Sequence, residues 1–355
     1  MLRKEFADLI QDDVALSIAD RKLTNSMLNL VYDNKWFNLW VPKDYGGLGA
    51  GLAEGCALLE ELAYVDGGFG WTVTLCAGAN MFAGFLDPKL AESIFSRRTV
   101  CWGGSGKPSG RADVLADGYL LSGSWMYATG APHLSHFTVN AWIYEEGKQV
   151  CDAAGNPVYR SFFIDRDDVL IHYDWNTFGL ACTASHSFSV AKVFLPENRA
   201  FDLIPESRQH EAPLYYYPFM TFAACTLAVN YSGMFRRFLD VLERCLFVKA
   251  AEPSWDASMG KEKFKKVDRS RSNQADLSSQ LYGLIDATWG QPHPDERLLD
   301  EISLCSRQMV QQIKQDTAAL FSYAGITGAQ QDSELNIVFR HLFTAAQHSL
   351  LNSEI

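Results

Sequence analysis

Apolar positions in the first hundred residues recur at helical spacing. Leu9, Ile10, Val14, Ile18 and Leu23 form a loose stripe, and Leu28, Leu30 and Val31 carry it toward Trp36 and Trp40. Pro42 and the cluster Gly46-Gly47-x-Gly49 break the pattern, as their backbone preferences require. Leu52, Cys56, Leu59, Leu62 and Ala63 begin a second stripe. Trp71 to Phe85 is nearly all small and apolar, which predicts a helix buried on every side.

From residue 101 the period changes. Glycines, β-branched and aromatic residues dominate short runs such as Phe137–Ile143, Ser161–Ile164, Val169–His172 and Ser187–Phe194. Asp117-Gly118 between Ala112–Ala116 and Tyr119–Met126 predicts a hairpin. Beyond about 213 the helical period returns, with Phe219, Phe222, Ala223, Thr226, Leu227, Phe235, Phe238, Leu239 and Leu242 on one apolar face. Residues 250–275 are polar and locally basic, and are expected to form a loop or mobile insertion. Further helices are expected at Leu277–Leu284, Leu298–Tyr323 and Leu335–Leu350. The order predicts an α+β chain: a helical domain over residues 1–100, an antiparallel β domain over 101–203 and a four-helix-bundle-like domain over 204–355.

Composition narrows the function by exclusion. A net charge of −11 argues against nucleic acid, which needs a basic face, and against anionic membrane surfaces. No apolar run is long enough for a membrane span, and the N-terminus lacks the apolar region of a signal peptide. Aromatic residues make up 13% of the chain, which suits a large core or a ring-binding pocket. Cysteines 56, 76, 101, 151, 182, 225, 245 and 305 are scattered without a CxxC pair, so a disulfide framework or zinc module is not expected and a cytoplasmic location is. His133-x-x-His136 could pair on a metal, but no acid or cysteine lies near it in the loop, and ordinary hydrogen bonding is the expectation. No metal is expected.

Gly123-Ser-Trp-Met-Tyr-Ala-Thr-Gly130 is the most informative segment. An aromatic strand that ends in a small hydroxyl residue beside glycine leaves room for a flat ring, and the Thr129 hydroxyl can hydrogen-bond its edge. The segment resembles the acyl-CoA dehydrogenase superfamily of flavoproteins. Four further blocks follow in that family's order: Val41–Gly49, Gly103–Ala112 (a flavin-facing loop by resemblance), Gly179–His186 with Val193–Pro196, and Arg340–His348. The resemblance implies the acyl-CoA dehydrogenase fold, bound FAD or FMN, a small-molecule substrate, and a homotetramer or dimer. The apolar face Phe219–Leu242 is expected to pack against copies of itself.

The dehydrogenase branch needs a carboxylate base, and Asp332 and Glu334 are the local candidates. Both look more like acids at a helix start, with Asp332 or Ser333 as the cap. The last helix instead resembles the two-component flavin monooxygenases of the p-hydroxyphenylacetate and dibenzothiophene type: Ser333, Leu335, Arg340, Thr344, Ala345, Gln347 and His348 match their ending in register. That branch implies reduced flavin and O2 acting on an apolar or aromatic substrate, with a separate flavin reductase as partner. By resemblance Thr129 and His348 are the catalytic candidates. Gly104, Ser105, Tyr127, Gly130, Ser185 and Arg340 are flavin-binding candidates; Trp175 either packs near the flavin or belongs to the core. Departures are Arg340-His341 for the usual RD pair, Ala77-Gly-Ala-Asn80 where aromatic hydroxylases often have a histidine, and Arg269, Arg271 and Gln274 as faint substitutes for a pyrophosphate-binding segment. An acyl-CoA dehydrogenase and a non-catalytic flavin or ligand binder remain as alternatives. The substrate pocket is expected between the Trp71–Phe85 helix and Leu214–Pro218.

Overall fold

The computed structural model describes residues 2–352 apart from Ser254. Five helices come first: α1 (Lys4–Asp20), α2 (Asn25–Asp33), α3 (Leu52–Val65), α4 (Gly67–Asn80) and α5 (Pro88–Phe95). Polar caps set several starts. The Thr24 side chain accepts from Met27 N, Asp66 from Phe69 N, and Asp87 from Leu90 N. Helix α4 is buried on nearly all sides, as its composition predicts. Its glycines permit this: a Cβ at Gly70 would sit 2.4 Å from Ala63 Cα, so α3 can lie close against it.

Strands β1 (Trp102–Leu115), β2 (Gly118–Ala128), β3 (His136–Glu145), β4 (Lys148–Gln149), β5 (Tyr159–Asp165), β6 (Leu170–Ile171), β7 (His186–Pro196) and β8 (Ala200–Phe201) build one sheet. Its order is β6-β7-β2-β1-β3-β5-β8, with β4 on β3. The sheet is mixed rather than antiparallel throughout, because β1 and β3 run parallel with Trp102 opposite His136. The β1–β2 hairpin returns the chain to the end where β1 began. The short link Thr129–Ser135 then passes over that end and lays β3 on the far edge of β1. Gly103–Ala112 is therefore not a loop but most of β1, irregular between Ser105 and Gly110. The hairpin falls at Asp117-Gly118 as expected. There the glycine is required by approach: a Cβ at Gly118 would lie 2.1 Å from Leu195 O.

Helices α6 (Phe219–Ala250), α7 (Ala257–Thr288), α8 (Glu296–Phe321), α9 (Ile326–Ala329) and α10 (Glu334–Ala345) complete the described chain. The stretch expected to be a loop is largely α7. Its polarity hides a narrow stripe, Val267, Ser270, Gln274, Leu281 and Ile285, that is buried at helical spacing, and Asp256 caps its start. The expected apolar face of α6 is also covered differently. Phe222, Leu227, Phe235, Phe238, Leu239 and Leu242 are buried within the chain, where α3, α4, α7, α8 and α10 pack around α6. That face is not free to meet a second copy. Truncating one of these phenylalanines to alanine would cost about 3–5 kcal/mol.

Gly104 illustrates how tightly β1 and β3 meet: a Cβ there would sit 1.8 Å from Thr138 O, a backbone atom that cannot yield. Gly104→Ala is expected to lower stability by about 1–3 kcal/mol. The urea midpoint of unfolding checks this, read with the slope unchanged.

Candidate active site

The end of β2 is bent where chemistry is expected. Pairing with β7 shifts register between Trp125 and Ala128, and Tyr127 sits at φ 70. Bulges of this kind re-aim side chains. Met126 and Tyr127 are left exposed, and Tyr127 meets Trp175 edge to face at 6.1 Å. The next turn buries Thr129, whose Oγ1 lies 2.9 Å from Ser185 Oγ.

A chain of three hydroxyls follows. Ser185 Oγ is 2.8 Å from Thr183 Oγ1, and Thr183 Oγ1 donates to Leu180 O at 2.9 Å. Each hydroxyl has one hydrogen. Thr183 spends its hydrogen on Leu180 O, so Ser185 must donate to Thr183 and Thr129 must donate to Ser185. Thr129 Oγ1 is left with lone pairs and no proton to give.

The loop that carries Thr183 and Ser185 is strained, with Leu180 at φ 56 and Ala184 at φ 46. Helix α10 holds it. Gly179 N donates to Thr344 Oγ1 at 2.8 Å, and Leu180 N donates to His341 Nδ1 at 2.9 Å. A Cβ at Gly179 would lie 2.0 Å from Arg340 O, so only glycine lets the loop sit this low. Trp175 Nε1 donates to Leu180 O at 3.0 Å, and Trp175 N donates to His186 Nδ1 at 2.9 Å. Trp175 is thus a half-buried brace of the loop that still offers one ring edge to Tyr127.

His341 received no role from the sequence beyond its departure from the RD pair. It is buried, and accepting from Leu180 N at Nδ1 fixes its neutral form with the proton on Nε2. That nitrogen faces Asp66 Oδ2 at 3.7 Å, beyond hydrogen-bond reach. Burial depresses its basicity, and the nearby Asp66 carboxylate opposes the fall.

His348 lies just beyond α10. Its ring meets Trp71 of α4 edge to face at 5.8 Å, and its Nδ1 accepts from Leu350 N at 3.4 Å. Burial lowers its basicity too. Thr129 reaches the same helix further along, where Cys76 Sγ donates to Thr129 O at 3.7 Å. Trp71 and Cys76 are separated by about 7.5 Å of helix rise. The structure brings Thr129 and His348 to one helix but joins them by no hydrogen bond among the described residues.

The remaining candidates sit as follows. Gly104 is packed on Thr138, and Ser105 follows it at the start of the β1 irregularity. Gly130, at φ 77, donates its N–H to Thr183 O at 2.7 Å and leaves space for His133, which a Cβ would approach to 2.6 Å. Arg340 Nη2 donates to Gln331 O at 2.9 Å and Nη1 to Phe178 O at 3.5 Å, so its guanidinium ties loops together. Ser333 caps α10, and Glu334 in its first turn is paired with Arg237 at 2.5 Å and Arg244 at 2.8 Å. Arg271 is occupied by Asp240 and Glu243, and Gln274 by Ser232. Asn80 joins α4 to Asn38 and to Trp102 N. Tyr215 fills the space over Gly84, and Tyr217 bonds Thr288, so Leu214–Pro218 packs the interior. The His133–His136 pair separates. His136 turns to Asp165 at 3.1 Å, whereas His133 meets Cys76 and Cys101, two cysteines that the linear spacing did not bring near it.

Comparison with known proteins bears on the fold. Residues 1–89 match the family model "Acyl-CoA dehydrogenase, N-terminal domain". The structure of XiaF from Streptomyces sp. in complex with FADH2 and glycerol superposes with a TM-score of 0.85 at 20% identity, covering 98% of this chain and 90% of that one. The chain has the acyl-CoA dehydrogenase-like fold of that structure, and its first 89 residues are similar to the family's N-terminal domain. Among curated relatives, a pigment production hydroxylase of Rhodococcus sp. is 26% identical over 62% of this chain and 57% of its own length. The flavin-dependent monooxygenase oxygenase subunit HsaA of Rhodococcus jostii is 24% identical over 76% of this chain and 69% of its own. Indole-3-acetate monooxygenase of Pseudomonas putida is 23% identical over 97% of this chain and 88% of its own. The matched region thus spans 57% to 88% of the length of these relatives.

His186, His341 and His348 are all less basic than a free imidazole of 6.5, each chiefly through burial. The unfolded chain therefore takes up protons below 6.5 that the folded chain refuses. Stability should be complete above that pH and fall as pH drops toward the depressed folded values. Melting temperature measured across this range checks the direction, and His341→Asn should reduce the slope by up to about one proton.

Proposed function

We propose that this protein is a flavin-dependent monooxygenase of the acyl-CoA dehydrogenase superfamily that uses reduced flavin and O2 to oxygenate an apolar or aromatic small molecule. The observation that carries the reading is the hydroxyl chain Thr129–Ser185–Thr183–Leu180 O, which leaves Thr129 Oγ1 as a buried acceptor. Reduced flavin carries a hydrogen on N5 and oxidised flavin does not, so the acceptor fits the reduced form. The exposed ring of Tyr127 and the half-buried ring of Trp175 supply a ledge beside it. Bound reduced flavin would supply the electrons that activate O2.

The chain's own residues do the rest. Thr129 orients the ring edge, and Ser185 and Thr183 keep its hydroxyl turned the right way. His348, made less basic by burial and accepting from Leu350 N at Nδ1, can give or take a proton there through Nε2, while Trp71 packs against its ring. Gly104, Ser105, Gly130 and Arg340 serve the same site by shaping β1, the turn after Thr129 and the loop beneath it. FAD or FMN is held without the pyrophosphate-binding segment, because Arg271 and Gln274 are already bonded within the chain. A separate reductase delivers the reduced flavin, in keeping with relatives named as oxygenase subunits. The assembly is a homotetramer or dimer in the cytoplasm. Its contact surface includes the exposed Phe178–Phe343 pair and Phe247 rather than the covered face of α6.

The test is anaerobic titration with reduced and oxidised FMN and FAD, followed by O2 and a probe substrate, indole-3-acetate or 4-hydroxyphenylacetate. Reduced flavin should bind about tenfold more tightly than oxidised flavin, the worth of one buried hydrogen bond. Thr129→Val should abolish that preference, and Ser185→Ala should weaken it. His348→Ala should cut product formation by about 100-fold while reduced flavin still binds. Equal binding of both redox forms would sink the assignment of Thr129.

Glu334 separates this reading from a dehydrogenase. Its carboxylate is held by Arg237 and Arg244 at the start of α10, which supports a structural part. Glu334→Gln should lower the melting temperature by a few degrees, through about 1 kcal/mol of lost pairing, and leave turnover unchanged. Bleaching of bound oxidised FAD by an acyl-CoA, lost in that variant, would identify a dehydrogenase.

A further inference from the structure

Cys76, Cys101 and His133 form a cluster that the chemistry above leaves unused. One ligand atom from each lies within 4.8 Å of the others. They arrive from three elements: Cys76 from the middle of α4, Cys101 from the residue before β1, and His133 from the turn Ala131–His133. Both cysteines are fully buried and carry free thiols. His133 Nε2 is also buried and has no hydrogen-bond partner, which is costly for a polar atom.

The cluster is held from several sides. The His133 ring stacks on Phe37 at 5.7 Å with planes 14° apart, and His133 N donates to Gly130 O at 2.8 Å. Cys101 N donates to Ser135 Oγ at 3.0 Å, and Ser135 N returns a bond to Cys101 O at 2.8 Å. Gly130 keeps the space open: a Cβ there would lie 2.6 Å from His133 Nε2 and 3.2 Å from Cys76 Sγ.

We propose that Cys76, Cys101 and His133 bind a divalent thiophilic cation of the zinc class. Metal–sulfur bonds of about 2.3 Å and metal–nitrogen bonds of about 2.0 Å place two ligands of one ion roughly 3.5–4 Å apart. Separations of at most 4.8 Å need side-chain adjustments of up to roughly an ångström to reach this. Charge selects the oxidation state. Two thiolates cancel a dication, so the complex is neutral in an apolar interior, whereas a monovalent ion would leave one buried negative charge. On binding, two S–H bonds break and two protons leave, two metal–sulfur bonds and one metal–nitrogen bond form, and nothing is oxidised. The Cys76 thiol then no longer donates to Thr129 O, which links the ion to the backbone of the hydroxyl chain.

The experiment uses the full chain, stripped with a chelator under a phosphine reductant and titrated anaerobically with Co(II), then Zn(II). One Co(II) per chain should appear with thiolate-to-metal charge transfer and the strong visible bands of a low-coordinate site, and one Zn(II) should displace it. Cys76→Ser, Cys101→Ser and His133→Asn should each weaken Co(II) at least about tenfold, the loss caused even by removing an outer partner of a ligand. His136→Asn should bind as the parent does, since that ring is engaged with Asp165. Near-ultraviolet circular dichroism of the metal-free variants separates a lost ligand from a lost fold. If a cysteine variant fails to fold, His133→Asn decides alone, because that residue lies in a half-exposed turn. Absence of charge transfer overturns the site, as does a Co(II) affinity in His133→Asn equal to that of the parent. So does a peptide map of the purified chain in which Cys76 and Cys101 are joined with the loss of two hydrogens, for the pair would then be a disulfide.

Discussion

The loop from Gly179 to Ser185 has almost no regular structure to hold it, and two of its residues stand in the left-handed region without being glycine. Its shape is imposed from below by α10. Gly179 seats on the Arg340 carbonyl, Gly179 N bonds Thr344, and Leu180 N bonds the His341 ring. Leu180 O then points at Thr183 and Trp175, and the direction of the whole hydroxyl chain follows from that one carbonyl. Strain of roughly 1–3 kcal/mol per left-handed residue persists only where surrounding bonds over-determine it. Those bonds come from a helix more than 150 residues away along the chain. The last helix and the β sheet are thus mechanically one site, although they share no strand or helix.

Much of the fold was legible because its signals are local. The change from helical to alternating period at residue 101, the Asp117-Gly118 hairpin and the all-round apolar run of α4 each reflect a rule that acts over a few residues. The parallel pairing of β1 with β3 was not legible, since it depends on where a seven-residue link crosses the sheet end and no side chain encodes that crossing. The polar 257–288 helix was missed for a different reason. A stripe of Val267, Gln274, Leu281 and Ile285 suffices when a large apolar helix lies opposite, but it is too thin to outweigh the lysines and arginines around it. Ser254, at the start of that polar stretch, lies outside the described residues.

The candidate site could be nominated where its residues are consecutive and was opaque where it is assembled across the chain. Thr129 after an aromatic strand, and Ser185 and His348 in their blocks, could be nominated from short motifs. Their neighbours could not. Asp66 looks like an ordinary cap before Gly67-Gly68, yet it also faces His341 from the other side of the core. Cys76 and Cys101 stand 25 residues apart with no spacing signal, and they meet His133 only because α4 crosses under the start of β1. Arg340 shows the converse. A motif arginine suggests an anion, but both of its terminal nitrogens donate to backbone carbonyls.

Helix α4 gives these separate groups a common reference. Its cap, Asp66, faces His341; one turn on, Trp71 meets His348; further along, Cys76 reaches Thr129 O and the Cys101–His133 pair. A helix with small residues on every side is suited to this, because β1, α3 and α6 can all approach closely and none of them owns the contact surface. The cost is a lack of slack. Gly67, Gly68 and Gly70 would place a Cβ within 3 Å of Met234, Cys182 and Ala63 respectively, so α4 cannot shift toward one group without colliding with another. A change at the cysteine end would therefore reach the His348 end through displacement of a rigid rod rather than through a chain of polar contacts. Close packing favours that route, since interiors transmit small displacements instead of absorbing them.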